Sequence, residues 1–312
     1  MGWRGHKVLV TGGAGVIGRE LVARFAAIGA DLLTIDRADG QDLPGTFIRH
    51  DLSKGLPEQA MVFGPRTIMH LAATFERTDE DVEFWEDNFT HNVLLSHKLL
   101  AAARRMPSLE TLVFASSYLI YDPALYLKQG ETRALKEGDP INPRNLVGVA
   151  KLQTERDIDF FQGAGAKYRG VNARIYRVYG HGSRDVISRW VRAALAGLGV
   201  EVFGGSNRFD YVFAGDVAEG LVRLAEQSQA RGVVNLGSGV DHSIAGVVEV
   251  LRAEFPGLAI RQVDQAPTGE ASRADMTLFR QLTGWVPGTK LHEGIRRIVE
   301  HERNRQGGVV RA

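Results

Sequence analysis

Three side chains able to handle a hydroxyl proton fall at the ends of regular elements in this sequence. Ser117 and Tyr118 close the apolar run "LETLVFASSY", and Lys151 lies in "NPRNLVGVAK", where helical spacing begins. A phenol has an unperturbed pKa of about 10, so it needs a positive neighbour to accept a proton near neutral pH. Lys151 carries such a charge, Tyr118 is a phenol, and Ser117 offers a hydroxyl that can hydrogen-bond a reacting group. One helical turn before the lysine stands Val147, which can take no part in proton transfer. The competing reading of Tyr118 is a packed aromatic or a lid. Tyr121 and Tyr126 have weaker claims, Tyr126 because it falls in an expected loop.

Such groups need an element to hold a redox partner beside them, and the N-terminal stretch is built for one. "KVLVTGGAGVIG" is a buried-strand run followed by glycines at 12, 15 and 18 and then by a helical pattern. Glycines there let the backbone turn sharply and approach a pyrophosphate, and the helix N-terminus presents free N–H groups to the anion. Asp36 ends the second strand, 18 residues beyond Gly18. A carboxylate at that place accepts from ribose hydroxyls and repels a 2′-phosphate, which favours NAD over NADP; Arg37 beside it tempers the preference.

Strands alternate with helices to about residue 178, which predicts an α/β protein with a Rossmann-type doubly wound parallel sheet. Strands are expected in "DLLTID", "TFIRHDLS", "TIMHLAA", "LETLVFASS", "YRGVNARIYRVYG", "DYVFAGDVAEG" and "GVVNLGSG". Residues 1–176 with about 212–238 are expected to form the cofactor domain. About 177–211 with 239–312 are expected to form a smaller α/β substrate domain, its tail "RNRQGGVVRA" frayed. The 38 Lys and Arg balance 37 Asp and Glu, which gives no electrostatic case for nucleic acid. Cysteine is absent, so there is no disulfide and no thiol nucleophile. No apolar run is long enough for a membrane span and no signal-peptide core is seen, so a cytoplasmic protein is expected. His70, His91, His97 and His181 show no metal-ligand spacing, nor do His292 and His301, and no metal is expected.

The sequence is similar to the extended short-chain dehydrogenase/reductase family, especially its NAD-dependent nucleotide-sugar epimerases and dehydratases. "TGGAGVIG" (Gly12, Gly15, Val16, Ile17, Gly18) resembles the family's phosphate loop, and Asp51 and Leu52 in "HDLS" its adenine-contacting turn. "HLAA" (Leu71, Ala72, Ala73) resembles the segment under the cofactor ribose, and "NVLLSHKLLAAA" the helix whose asparagine, Asn92, supports the active site. "FASSYLIYDP" resembles the strand end that supplies a catalytic Ser or Thr, with Ser117 at that place and Ser116 beside it as a substrate contact. "ARIYRVYGHG", "VNLGSG" and "LTGWVP" match later landmarks. The resemblance implies a Rossmann NAD domain, a nucleotide-sugar substrate, transient oxidation of the sugar, and a homodimer through the helices from Asn92 and Gly148. Lys151 would hold the nicotinamide ribose.

Against that family the sequence departs at its chemistry. Val147 replaces the tyrosine that precedes the lysine, and Tyr118 and Leu119 replace an acid pair found in dehydratases. Tyr118 is therefore expected to serve as relocated acid–base group beside Ser117 and Lys151. The arginine expected before the "GD" pair is missing from "QAPTGE", while Arg177, Arg184 and Arg208 are candidates for a diphosphate or sugar carboxylate. The leading expectation is an NAD-dependent epimerase of a nucleotide sugar. A dehydratase or reductase of the same family, or an NAD-binding protein without catalysis, stand as alternatives.

Overall fold

The computed structural model describes residues 2–75, 82–128, 131–263 and 269–309. The first half alternates β1 (Lys7–Thr11), α1 (Val16–Ala27), β2 (Asp31–Asp36), β3 (Thr46–Arg49), α2 (Glu58–Phe63), β4 (Thr67–His70), α3 (Val82–Asn88), α4 (Leu95–Ala103) and β5 (Thr111–Ser117). There follow β6 (Arg133–Leu135), α5 (Leu146–Gly163), β7 (Arg169–Ile175), β8 (Arg177–Tyr179), α6 (Val186–Leu195), β9 (Val200–Phe203), β10 (Arg208–Phe213) and α7 (Ala214–Glu226). The last elements are β11 (Gly232–Leu236), β12 (Asp241–Ser243), α8 (Ile244–Glu254), β13 (Ile260–Val263), β14 (Ala271–Ala274), α9 (Thr277–Thr283) and α10 (Leu291–Val309).

Seven parallel strands form the main sheet in the order β3-β2-β1-β4-β5-β7-β11. Strand order reverses between β1 and β4, which opens a crevice at their C-terminal ends. Both faces are buried, as an apolar parallel sheet requires. Val8 and Val10 pack with Leu21, Phe25 and Leu221 on one face. Leu9, Ile68 and Phe114 pack with Leu99, Ile158 and Phe161 on the other. The second lobe is built on β12-β10-β14-β6 with β8 beside β10, and a separate β9–β13 ribbon. Its core sets Tyr211 and Phe213 against Ile187, Val247 and Ile295.

The expected α/β class and doubly wound sheet are present; several boundaries differ. "YRGVNARIYRVYG" is two strands in two sheets, because the chain leaves the main sheet at Tyr176, whose N–H donates to Leu236 O at 3.1 Å. β6 falls within 1–176 but pairs with β14 in the second lobe. α9 falls within 239–312 but buries Phe279 in the core of the main sheet. "DYVFAGDVAEG" is strand only to Phe213 and helix from Ala214. The tail expected to fray continues as helix to Val309, and residues 310–312 lie outside the described ones.

One buried ion pair braces the strand ends nearest the crevice. Arg174 on β7 donates from Nη2 to Glu155 Oε2 at 2.8 Å and from Nε to Oε1 at 3.1 Å. Ser116 Oγ donates to the same Oε1 at 2.5 Å. The Arg174 guanidinium lies 4.7 Å from the Tyr121 ring, and Tyr121 donates to Asn235 Oδ1 at 2.7 Å. Arg174 and Glu155 side chains are 1% and 3% exposed, so removing one partner strands the other charge. Glu155→Ala is expected to destabilise the protein by about 3–5 kcal/mol in denaturant unfolding. A loss below 1 kcal/mol would show that the pair is dispensable.

Candidate active site

The crevice is shaped by glycines that admit no side chain. Gly12 leaves β1 at φ 76°, and a Cβ there would lie 2.6 Å from Ala72 N. A Cβ on Gly18 would lie 2.2 Å from Gly12 O. The loop therefore packs backbone to backbone, against Ala72 on one side and against the first turn of α1 on the other. Gly15 is the N-cap of α1, and Val16 and Ile17 begin the helix. Asp36 accepts from Ala14 N and from Ala38 N, both at 2.9 Å, so its carboxylate is fixed at the rim of the loop. A cleft of about 220 Å³ is bounded by Gly12, Gly15, Asp36, Arg37, Asp51, Leu52 and the Leu71–Ala73 segment. The glycine cradle, the oriented carboxylate and the helix N-terminus fit a dinucleotide.

Asp51 caps a short helical turn by accepting from Ser53 N at 2.9 Å. Burial raises its pKa, but the Ser53 hydrogen bonds and the nearby His91 outweigh that and hold it below the ordinary value. His91 bonds Asp87 through Nδ1 at 2.7 Å and, with His50, lines the cleft; the sequence reading weighed His91 only as a metal ligand and left His50 aside. Asn92 sits in a π-helical turn, Phe89–Leu94, between α3 and α4. It accepts from Thr74 N at 2.8 Å and donates to Thr74 O at 3.0 Å, clamping the segment after β4. His70 is buried between Thr11 Oγ1 at 2.8 Å and Ser96 Oγ at 3.0 Å. Burial and then the charge of Lys151 hold its pKa down at about 3, so it stays neutral.

Beyond Ala73 a narrow recess runs past Asn92 and Phe114 to Lys151. Lys151 Nζ donates to Ala115 O at 2.7 Å and lies 4.8 Å from the Phe114 ring centroid. Burial lowers its pKa to about 8, while Glu155 one helical turn away opposes that fall. Ser117, two residues beyond Ala115, is half-buried; its Oγ accepts from Leu119 N at 3.2 Å, which leaves the hydroxyl proton to donate. Val147 is buried at 3% exposure.

Two sequence expectations need correcting. Tyr118 was expected to turn its phenol to the reaction with its pKa lowered. It is instead 4% exposed, stacks on Tyr176 at 4.9 Å, and donates to Glu270 Oε1 at 3.2 Å. Burial pushes its pKa far above the ordinary tyrosine value, and the nearby Arg177 and Arg144 do not reverse that. Ser116 was expected to meet substrate, but alternation along β5 turns it to the opposite face from Ser117, onto Glu155. The three candidate arginines lie apart from one another. Arg208 pairs with Asp241, and Arg184 is exposed before α6. Arg177 bonds Glu270 Oε2 at 3.0 Å, where Arg144, unnoticed in the sequence, joins it. Of the "QAPTGE" stretch, residues 265–268 lie outside the described ones, while its last residue, Glu270, is the carboxylate that Arg177 and Arg144 share. Among the described residues no group of three His, Cys, Asp or Glu can hold a metal ion, and no helix is long and apolar enough to cross a membrane.

Two expectations follow from this geometry. Asp36→Ala should weaken NAD binding by about 1–3 kcal/mol in calorimetry, through loss of charge-assisted hydrogen bonds; tighter binding of NADP than NAD to the unaltered protein would refute the role given to Asp36. Lys151 loses its proton near pH 8 when folded, against an ordinary value of 10.5. Between those values the unfolded chain holds more protons, so stability rises with pH across the window. The unfolding free energy of the wild type relative to Lys151→Met should therefore increase from pH 8 to 10, and a flat difference would contradict the shift.

The molecule was compared with known proteins. The family model described as NAD dependent epimerase/dehydratase family matches residues 8–237. The UDP-glucose 4-epimerase of Mycolicibacterium smegmatis is 28% identical over 96% of this chain and 99% of its own. UDP-glucuronic acid decarboxylase 2 of Arabidopsis thaliana is 27% identical over 98% of this chain and 70% of its own. Among solved structures, MoeE5 in complex with UDP-glucuronic acid and NAD superposes with a TM-score of 0.82 at 31% identity, over 96% of this chain and 99% of the other. TunA, an NAD-dependent NDP-hexosamine 5,6-dehydratase, gives 0.83 at 27%, over 96% and 98%. With its glycine cradle and Asp36 lining one crevice, the chain belongs to the NAD dependent epimerase/dehydratase family.

Proposed function

We propose that this protein is an NAD-dependent epimerase of a UDP-sugar. The observation that supports it most is Lys151, held on Ala115 O at 2.7 Å two residues before Ser117, in a recess that shares Ala72 and Ala73 with the cofactor crevice. Bound NAD supplies the hydride acceptor that oxidises a sugar carbon and later returns the hydride. Ser117 orients the reacting hydroxyl through its free O–H. Lys151 holds the ribose as the ammonium, and its neutral amine, made accessible by a pKa lowered to about 8, takes up the hydroxyl proton as hydride leaves and gives it back on the return step. Gly12, Gly15, Val16, Ile17, Gly18, Asp36, Arg37, Asp51, Leu52, Leu71, Ala72, Ala73 and Asn92 build the cofactor side. Epimerisation is favoured over dehydration because Tyr118 and Leu119 follow Ser117, and the nearby carboxylate of Glu270 is engaged by two arginines.

A second reading is favoured by Val147 and by the raised pKa of Tyr118: a protein that binds NAD without turnover. NMR of UDP-sugars incubated with the NAD-loaded protein separates the two. Conversion of one sugar to its epimer is expected, and Lys151→Met or Ser117→Ala should slow it by about 10² to 10⁴. No conversion by the wild type together with strong conversion by Val147→Tyr would establish the inactive reading.

The homodimer and the cytoplasmic location belong to the same proposal. Trp85 and Phe89 stack at 5.9 Å and are exposed, as are Val149 and Phe160 on α5. Such apolar surface suits a helical interface with a second copy. Light scattering is expected to report a dimer at micromolar concentration; a monomer would remove this part.

A further inference from the structure

Glu270 is a buried carboxylate whose neighbours leave a surplus of positive charge. Its side chain is 3% exposed, and its Oε2 accepts from Arg144 Nη1 at 2.5 Å and from Arg177 Nη2 at 3.0 Å. Its Oε1 accepts from Tyr118 at 3.2 Å. The two arginine side chains are 32% and 37% exposed, so each reaches solvent while pairing with a buried carboxylate. Two cations and one anion leave one positive charge there. Arg177 is held flat on Phe209, with Cζ 3.9 Å from the ring centroid, and its Nε is buried without a partner among the described residues. A planar fork fixed in this way loses little freedom when it receives an oxyanion.

The pair also stands at the reaction centre. Ile175 is the register partner of Ser117, and Arg177 follows it by two residues. Arg144 N donates to Leu119 O at 2.9 Å, two residues beyond Ser117 on the other side. Both arginines are thus tied through the backbone to the strand end that carries Ser117, where the proposed reaction brings the sugar.

We propose that the sugar of the substrate carries a carboxylate, and that Arg144 and Arg177 recognise it. This rests on the UDP-sugar reading above and narrows it to a UDP-hexuronate. Glu270 and Tyr118 are positioning residues that hold the two guanidinium groups.

Calorimetry of the NAD-loaded protein with UDP-glucose and UDP-glucuronic acid, which differ at one carbon, tests this. The wild type is expected to bind the uronate at least tenfold more tightly. Arg177→Gln should remove most of that preference and leave UDP-glucose affinity within about twofold. Arg144→Gln is the parallel variant, and unchanged NAD affinity and circular dichroism identify folded protein for both. Equal losses for both sugars would mean that the arginines read the diphosphate, and would overturn the inference. Binding of both sugars by the wild type without preference for the uronate would overturn it alone. Binding of neither would overturn the UDP-sugar reading with it.

Discussion

The carboxylate of Glu155 is the contact on which the catalytic end of the sheet depends. It lies under the crevice on α5 and receives Ser116 from β5 and Arg174 from β7. Through the ring of Tyr121, which rests against Arg174 and donates to Asn235, it also reaches β11. Three neighbouring strands are thus pinned to one helix by a group that water does not reach. Buried pairs of this kind are poor sources of net stability but hold geometry firmly, because no partial arrangement satisfies them. The fixed end of β5 carries Ser117, and that of β7 leads through Tyr176 to Arg177 on β8.

The same carboxylate sets the electrostatics of the recess. Lys151 is one turn away on the same helix, and burial would lower its pKa further without that negative neighbour. His70, on the other wall, is kept neutral by its burial and by Lys151. The positive charge of Lys151 is therefore unshared by any second titrating cation among these neighbours. On the substrate side the balance is reversed, since Glu270 is outnumbered by Arg144 and Arg177.

How far the sequence foretold this depends on whether the signal was local. The glycine loop, Asp36 and the alternation of strands with helices are local patterns, and they gave the doubly wound sheet and the cofactor crevice. Lys151 and Ser117 were legible because each ends or begins a periodic element. Arg144 and Glu270 were not: each lies outside any periodic run, and they meet across 126 residues of chain. The crossing at Tyr176 was hidden because the apolar run continues unbroken through it. Ser116 was misjudged although the signal was present, since adjacent strand residues face opposite ways. Tyr118 was misjudged for another reason. Its neighbour Ser117 marks the site, but the phenol's direction is decided by Glu270 and Tyr176, which sequence proximity does not reveal.

The single residue between β7 and β8 has a consequence for how such proteins diversify. One strand leaves the seven-stranded sheet and the next enters the second sheet with only Tyr176 between them, and β6 and α9 each cross back between the lobes. The substrate lobe is therefore not a cassette that recombination can exchange whole, because any cut at its border severs several short crossings at once. New specificity in this architecture has to arise by point substitution at the crossings themselves. Arg177, the first residue past Tyr176, stands at such a place.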